Sequence, residues 1–174
     1  MPYDDRLLKL LSLSLIAAQR VEFRLYGLAA HVQPDAAEKR FKDLTPERFL
    51  RGDVAELKAT LGQLTRAYGD KFFISTEDLT SFVESRNLIA HNYYRTFILK
   101  IAGTENREDG IPFLESFLLE AQRWDTILAG LNNVMREAAA KAQGKAISFT
   151  PAERESMDAY ISNAARHKGV ELSD

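Results

Sequence analysis

The sequence predicts an all-α protein, an antiparallel bundle of about four long helices followed by a C-terminal helix. Apolar residues recur at helical spacing along most of the chain, and capping residues stand before these segments, with glycines after them. No segment alternates convincingly in the manner of a half-buried strand, and residues 71–75 are the only candidate for one. With 174 residues and a hydrophobic fraction of 45%, the chain is expected to form a single domain with a sizeable core.

The helix boundaries follow from capping signals. Ser75 and Asp78 form a helix-start pair, and Thr150, Pro151 and Glu153 form a stronger one. We expect residues 1–148 to form the bundle and residues 149–174 to form a helical extension packed on it. The extension has few large apolar residues, so we expect it to be loosely docked, and residues 104–110 are expected to form a polar loop. The predicted helices are residues 4–31, a short helix from Pro46, 53–69, 75–103, 112–141 and 151–167.

Composition excludes several classes of protein. The net charge of −2 and the pI near 6.0 give no global basic signature, although a local basic cleft remains compatible with them. There is no cysteine, no glycine-rich phosphate loop and no H-E-x-x-H pair, and the three histidines are far apart, so we expect neither a metal nor a cofactor. The apolar stretch 10–18 is too short to span a bilayer, which predicts a cytoplasmic protein without a membrane partner.

The third long helix contains Arg86, Asn87 and His91, the residues with the clearest chemical potential. Arg86 falls on the apolar side of this helix and therefore needs a partner. In a regular α-helix Arg86 and His91 lie about 140° apart, so we expect the polar site to lie between two helices or two subunits. Apolar residues beyond those needed for one core favour a homodimer, and they are Leu88, Ile98 and Leu99.

Arg86, Asn87 and His91 resemble the R-[polar]-x3-H motif of HEPN-domain proteins. With Tyr93 added, the pattern is similar to the R-x4-H-x-Y motif of HepT-type toxins from HEPN–nucleotidyltransferase toxin–antitoxin pairs. The specific resemblance covers residues 76–103, and it is architectural to about residue 143. It implies a metal-independent endoribonuclease of toxin or phage-defence type, with a composite Arg/His site at a homodimer interface, an RNA substrate, and a cognate antitoxin or nucleotidyltransferase as partner.

Within this interpretation Arg86 clamps phosphate and His91 acts as general acid or base, giving 2′,3′-cyclic phosphate ends. The other candidate site residues are Asn87 as polar support beside His91, Tyr93 as the motif tyrosine, which the partner nucleotidyltransferase can adenylylate in that family, Tyr94 as the neighbouring acceptor, and Arg95 as an RNA contact. Two alternatives stay open for single residues: Tyr93 as a core aromatic and Arg95 as a solvated surface charge. The competing function is a non-catalytic HEPN-like binding module that partners a nucleotidyltransferase or another defence protein.

Overall fold

The computed structural model describes residues 5–31, 51, 61–99 and 107–169. Within these ranges the chain forms helices and turns without a strand, which confirms the predicted all-α helical bundle. The predicted helix from Pro46, the start of the next helix at Asp53 and the glycine at 103 lie outside the described residues. The elements are α1 (Asp5–His31), α2 (Leu61–Tyr68), a 3₁₀ turn (Asp70–Phe72), α3 (Thr76–Asn87), two π-helical segments (Leu88–Asn92 and Tyr94–Ile98), α4 (Arg107–Ala142) and α5 (Pro151–Lys168). Residues 76–98, α3 with its π-helical continuation, are called the motif helix below.

Two predicted helix starts are confirmed in atomic detail. The Ser75 hydroxyl accepts the backbone N–H of Asp78 at 3.2 Å and begins α3. The Thr150 hydroxyl accepts the N–H of Glu153 at 3.3 Å, while the Glu153 carboxylate accepts the N–H of Thr150 at 2.9 Å, which completes the capping box of α5. Gly169 ends this helix in the left-handed conformation, at φ 65°.

Three local expectations are wrong. Of the predicted loop 104–110, residues 104–106 lie outside the described residues, and residues 107–110 are helical, so α4 begins before Pro112 and passes through it although proline offers no N–H. Packing of the buried Gly110 against Tyr93 accompanies this extension. The motif helix ends at Ile98, because Leu99 is extended, and thus stops before the predicted end at Gly103. The strand candidate 71–75 includes part of the 3₁₀ turn and Phe73, whose φ of 52° is left-handed.

Helix α4 packs against α1, the motif helix and α5. The stacked rings of Phe82 and Phe117, 5.1 Å apart, and the tilted rings of Phe97 and Phe113, 5.2 Å apart, show that the motif helix runs antiparallel to α4. Ion pairs give the direction of α1: Arg6 contacts Glu115 at 2.5 Å and Arg20 contacts Asp125 at 2.6 Å. Both residue numbers rise together, so α1 and α4 are parallel, which differs from the uniformly antiparallel arrangement predicted.

The C-terminal helix is firmly docked, contrary to the loose attachment predicted. It crosses α4 at Gly130, where an added Cβ would lie only 1.9 Å from the carbonyl oxygen of Ser156. Tyr160 is 7% exposed, and its hydroxyl donates to the carbonyl of Phe72 at 3.0 Å. The Asn133 amide also donates to the Ser156 hydroxyl at 3.2 Å. A small residue at the crossing and buried hydrogen bonds provide the attachment that large apolar side chains would otherwise supply.

The inner face of α1 agrees only in part with the apolar stripe that helical spacing predicts for it. Ala18, Tyr26 and Ala30 are buried as predicted, but three larger members of the predicted stripe are not. Leu8, Leu15 and Phe23 are 45%, 40% and 62% exposed, whereas Val21 and Leu25 are fully buried. A helix that is apolar on most sides does not reveal from its own periodicity which side faces the core. Among the described residues, no helix is long and apolar enough to cross a membrane.

Candidate functional site

The motif helix changes its winding where the predicted site lies. The π-helical segment Leu88–Asn92 contains most of the steps between Arg86 and His91. Hydrogen bonds between residues five positions apart widen the turn, so each residue turns through a smaller angle than in an α-helix. Arg86 and His91 are therefore closer together around the helix axis than the separation of about 140° expected for a regular α-helix, and both side chains line the same cleft.

Arg86, Asn87 and His91 line one cleft of about 520 Å³. Helix α1 contributes Glu22 to this cleft, and α2 contributes Gly62 and Arg66; further lining residues are Leu61, Thr80, Val83 and Glu84. The cleft therefore lies between α1, α2 and the motif helix of a single chain. Its volume falls within the range of small-molecule sites.

The Arg86 guanidinium is held by two acceptors. Its Nη2 donates to Oε2 of Glu22 at 3.1 Å, and its Nη1 donates to Oδ1 of Asn87 at 3.0 Å. The Arg86 and Glu22 side chains are 27% and 21% exposed, so the ion pair is half-buried. Glu22 is thus the partner that the position of Arg86 required, and the hydrogen bond of Asn87 supports Arg86 and not His91.

Tyr26 lies one turn beyond Glu22 on α1 and shares the field of this ion pair. Burial raises the pKa of the Tyr26 phenol, the Glu22 carboxylate raises this pKa further, and Arg86 lowers it. The phenol is therefore neutral at physiological pH. Glu22 is the residue of α1 that lines the cleft, and Tyr26 lies close enough to respond to its charge and to that of Arg86.

His91 lines the cleft with an exposed side chain. Within the described ranges, its imidazole forms no hydrogen bond, in contrast to Arg86. A ligand in the cleft can therefore contact either ring nitrogen without first displacing a described protein group. An accessible imidazole beside a held guanidinium supplies a proton-transfer group and a cation to the same small volume.

Tyr93 is part of the core. It is 4% exposed, and its ring lies 4.8 Å from that of Phe97. Its hydroxyl is buried without a hydrogen-bond partner in the described part of the chain and faces Gly110. Burial raises the pKa of the Tyr93 phenol. These observations favour the core-aromatic interpretation and leave Tyr93 outside the cleft.

Tyr94 and Arg95 are exposed and also lie outside the cleft lining, so Tyr94, at 55% exposure, is the accessible phenol next to the motif.

The residues proposed for a dimer surface differ in their exposure. Leu88 and Ile98 are half-buried against this chain's own core, and only Leu99, at 38%, counts as exposed. The structure thus removes part of the apolar surface on which the homodimer prediction rested.

Sequence reasoning missed Glu22 and Arg66. Glu22 stands between Val21 and Leu25, both fully buried, and a carboxylate beside such positions is a signal that could have been matched to the partner required by Arg86. Arg66 carries no comparable signal, because it reads as an ordinary polar position on an amphipathic helix.

Comparison of the chain with protein-family models, with curated proteins and with solved structures finds no match. The resemblance to HEPN proteins therefore rests on the motif residues and stays a prediction. In the described part of the chain, no group of three or more histidine, aspartate or glutamate side chains is arranged to hold a metal ion.

Proposed function

We propose that this chain is a metal-independent endoribonuclease whose reacting groups are Arg86 and His91. The observation that carries the proposal is the shared cleft, in which a held guanidinium and an accessible imidazole occupy one small volume. These are the two groups that cleavage of RNA by its own 2′-hydroxyl needs near neutral pH, a proton carrier and a cation for the phosphate.

The reaction is a displacement at phosphorus. His91 removes the proton of the 2′-hydroxyl, and O2′ attacks the adjacent phosphorus while the P–O5′ bond breaks. The leaving O5′ takes up a proton from water and the protonated His91 returns its proton to the solvent, so the products are a 2′,3′-cyclic phosphate and a 5′-hydroxyl. Arg86 donates hydrogen bonds to the non-bridging oxygens, where negative charge accumulates in the transition state. DNA is not cut by this route, because it has no 2′-hydroxyl.

A second copy of the chain is part of this proposal. One histidine can serve as base or as acid in a given step, and a two-fold dimer would bring a second Arg86–His91 pair near the substrate. An antitoxin or nucleotidyltransferase partner and a role in toxin–antitoxin or phage-defence systems come from the motif resemblance alone, and the cytoplasmic location comes from the short apolar stretch 10–18.

The decisive comparison is cleavage of one RNA, in the presence of EDTA, by wild type, His91→Ala and His31→Ala. His31 is an exposed histidine at the end of α1 that does not line the cleft, so its variant is the matched control. Loss of general acid–base catalysis lowers rates by about a hundred- to ten-thousand-fold, and we expect this for His91→Ala alone. Equal cleavage by His91→Ala and wild type would reject the proposal.

One observation favours the alternative of a non-catalytic HEPN-like binding module. The charge of Arg86 is already balanced by Glu22, as in a structural ion pair. Cleavage of RNA by wild type and by Arg86→Lys distinguishes the two functions. If the chain is a ribonuclease, Arg86→Lys loses most of the activity, because a point charge cannot replace the fork of donors on phosphate. A binding module has no cleavage to lose, and its wild type leaves the RNA intact.

A further inference from the structure

The cleft contains a second guanidinium, that of Arg66 on α2. Arg66 is exposed, and its Nε donates to the backbone carbonyl of Gly62 at 3.1 Å. Among the described residues, no carboxylate pairs with it. The backbone hydrogen bond anchors the side chain at Nε and leaves both terminal nitrogens to donate to a ligand. Two parallel donors of this kind match the oxygens of a phosphate.

Arg66 and Arg86 therefore differ in how readily each can bind a phosphate. The charge of Arg86 is offset by Glu22 at 3.1 Å, and a phosphate must compete with that carboxylate. Arg66 has no such competitor in the described part of the chain. Glu84 also lines the cleft, and its negative charge repels anions. The attraction for an anion is therefore concentrated at Arg66 and does not extend over the whole cleft surface.

Gly62 keeps the cleft open beside Arg66. A Cβ added at Gly62 would lie 3.6 Å from Cγ1 of Val83 and 4.0 Å from Nη2 of Arg66, which are ordinary contacts. The wall beside the guanidinium is thus bare backbone, and a ligand can approach it closely. The cleft volume, about 520 Å³, lies in the range of sites that accept a ligand the size of one nucleotide.

We propose that Arg66 binds a backbone phosphate of single-stranded RNA and guides the strand into the cleft toward His91. This inference rests on the proposed function and assigns a substrate-binding role to a residue outside the motif. Arg66 binds ground state and transition state alike, so it contributes to KM, whereas Arg86 and His91 contribute to kcat.

The experiment measures binding of a labelled single-stranded RNA to the full chain carrying His91→Ala, which prevents cleavage. Arg66→Gln is compared with Arg154→Gln in that background. Arg154 is a matched control, because it is an exposed arginine whose Nε also donates to a backbone carbonyl, that of Phe149 at 3.4 Å, but it lies on α5 outside the cleft. We expect Kd to rise about tenfold for Arg66→Gln and to stay unchanged for Arg154→Gln.

Two further readouts separate a phosphate contact from a structural effect. The slope of log Kd against log salt should fall by about 0.7 for Arg66→Gln, the value of one phosphate contact on a single strand. Glu84→Gln removes a negative charge from the same cleft and should tighten binding. In the cleavage-competent chain, Arg66→Gln should raise KM with little change in kcat.

Equal RNA affinity of the Arg66→Gln and Arg154→Gln proteins would overturn the inference, even if the wild type cleaves RNA through His91. RNA binding that depends on Arg66 without cleavage by the wild type would retain the inference and reject the ribonuclease. A wild type that neither binds nor cleaves single-stranded RNA would overturn both.

Discussion

The substitution Gly110→Ala tests whether Tyr93 is a core residue or an accessible site. An added Cβ at Gly110 would lie 2.5 Å from the Tyr93 hydroxyl oxygen, 3.2 Å from Cβ of Phe97 and 3.3 Å from Cζ of Tyr93. The first distance is about 1 Å short of an ordinary contact, and the others are tight but tolerable. Removing the hydroxyl with Tyr93→Phe therefore removes the severe clash and leaves the milder ones.

The expected free energies follow from these distances. Overpacking of a core costs about 1–3 kcal/mol, while alanine gains about 1 kcal/mol over glycine inside a helix, so Gly110→Ala should destabilise by about 1 kcal/mol. Tyr93→Phe removes a buried hydroxyl without a partner in the described part of the chain, so it should be neutral or stabilise by up to about 1 kcal/mol. In the Tyr93→Phe background, Gly110→Ala should be neutral or stabilising. The coupling between the two sites should then be about 1–2 kcal/mol.

Urea unfolding of the wild type, both single variants and the double variant measures this coupling, provided that the denaturant slopes agree. Gly62→Ala is the matched control, because its nearest new contact is 3.6 Å and the same glycine-to-alanine change should not depend on Tyr93. Additive effects at Gly110 and Tyr93, within about 0.5 kcal/mol, would refute the packing described here. With Tyr93 buried, cleavage by Tyr93→Phe should match the wild type, and any adenylylation by a partner should fall on Tyr94.

Two further predictions concern carboxylates. Glu22→Gln should lower the free energy of unfolding by about 1 kcal/mol, after allowance for partial solvent screening, because Arg86 loses a half-buried charged partner, whereas the exposed Glu84→Gln should change it by less than about 0.5 kcal/mol. Equal effects in urea unfolding would mean that Glu22 does not hold Arg86. The N–H of Thr150 is the main cause that lowers the pKa of Glu153 below its ordinary value of 4.5. The stability from this cap is fully present above the unfolded pKa and is lost as pH falls through the lowered folded pKa, which a carboxyl NMR titration combined with acid unfolding can follow; an unshifted Glu153 would contradict it.

The features that were predicted correctly from the sequence are those encoded by neighbouring residues. The caps at Ser75 and Thr150 need only a hydroxyl and an N–H three residues on, and Gly169 needs only its freedom at positive φ. The need of Arg86 for a partner was also visible, since a charge stood on an apolar side of a helix.

The features that were missed depend on contacts between distant segments. Glu22, the partner of Arg86, lies 64 positions away from it in the chain. The buried side of α1 is set by its neighbours, which bury Ser14 completely and leave Phe23 62% exposed. The π-helical winding after Asn87 has no signal in the residue types, yet it reduces the angle around the helix axis between Arg86 and His91.

That winding bears on how two copies of the chain would share the reaction. In a regular helix Arg86 and His91 diverge, and a complete site would have to draw one of them from each copy. The wide turn and the common cleft favour pairing within one chain instead. The Arg86→Ala and His91→Ala proteins, unfolded and refolded together in equal amounts, distinguish the two arrangements, with sedimentation confirming that mixed dimers form.

With pairing inside one chain, no chain of the mixture holds both groups, so cleavage should stay at the level of the separate variants. With pairing between copies, half of the dimers are mixed and one of the two sites in each is intact, which restores about a quarter of the wild-type rate. Because Arg86 and His91 line the same cleft of one chain, we expect no recovery. Recovery to about a quarter would refute pairing within the chain and would place the reacting pair across the dimer axis.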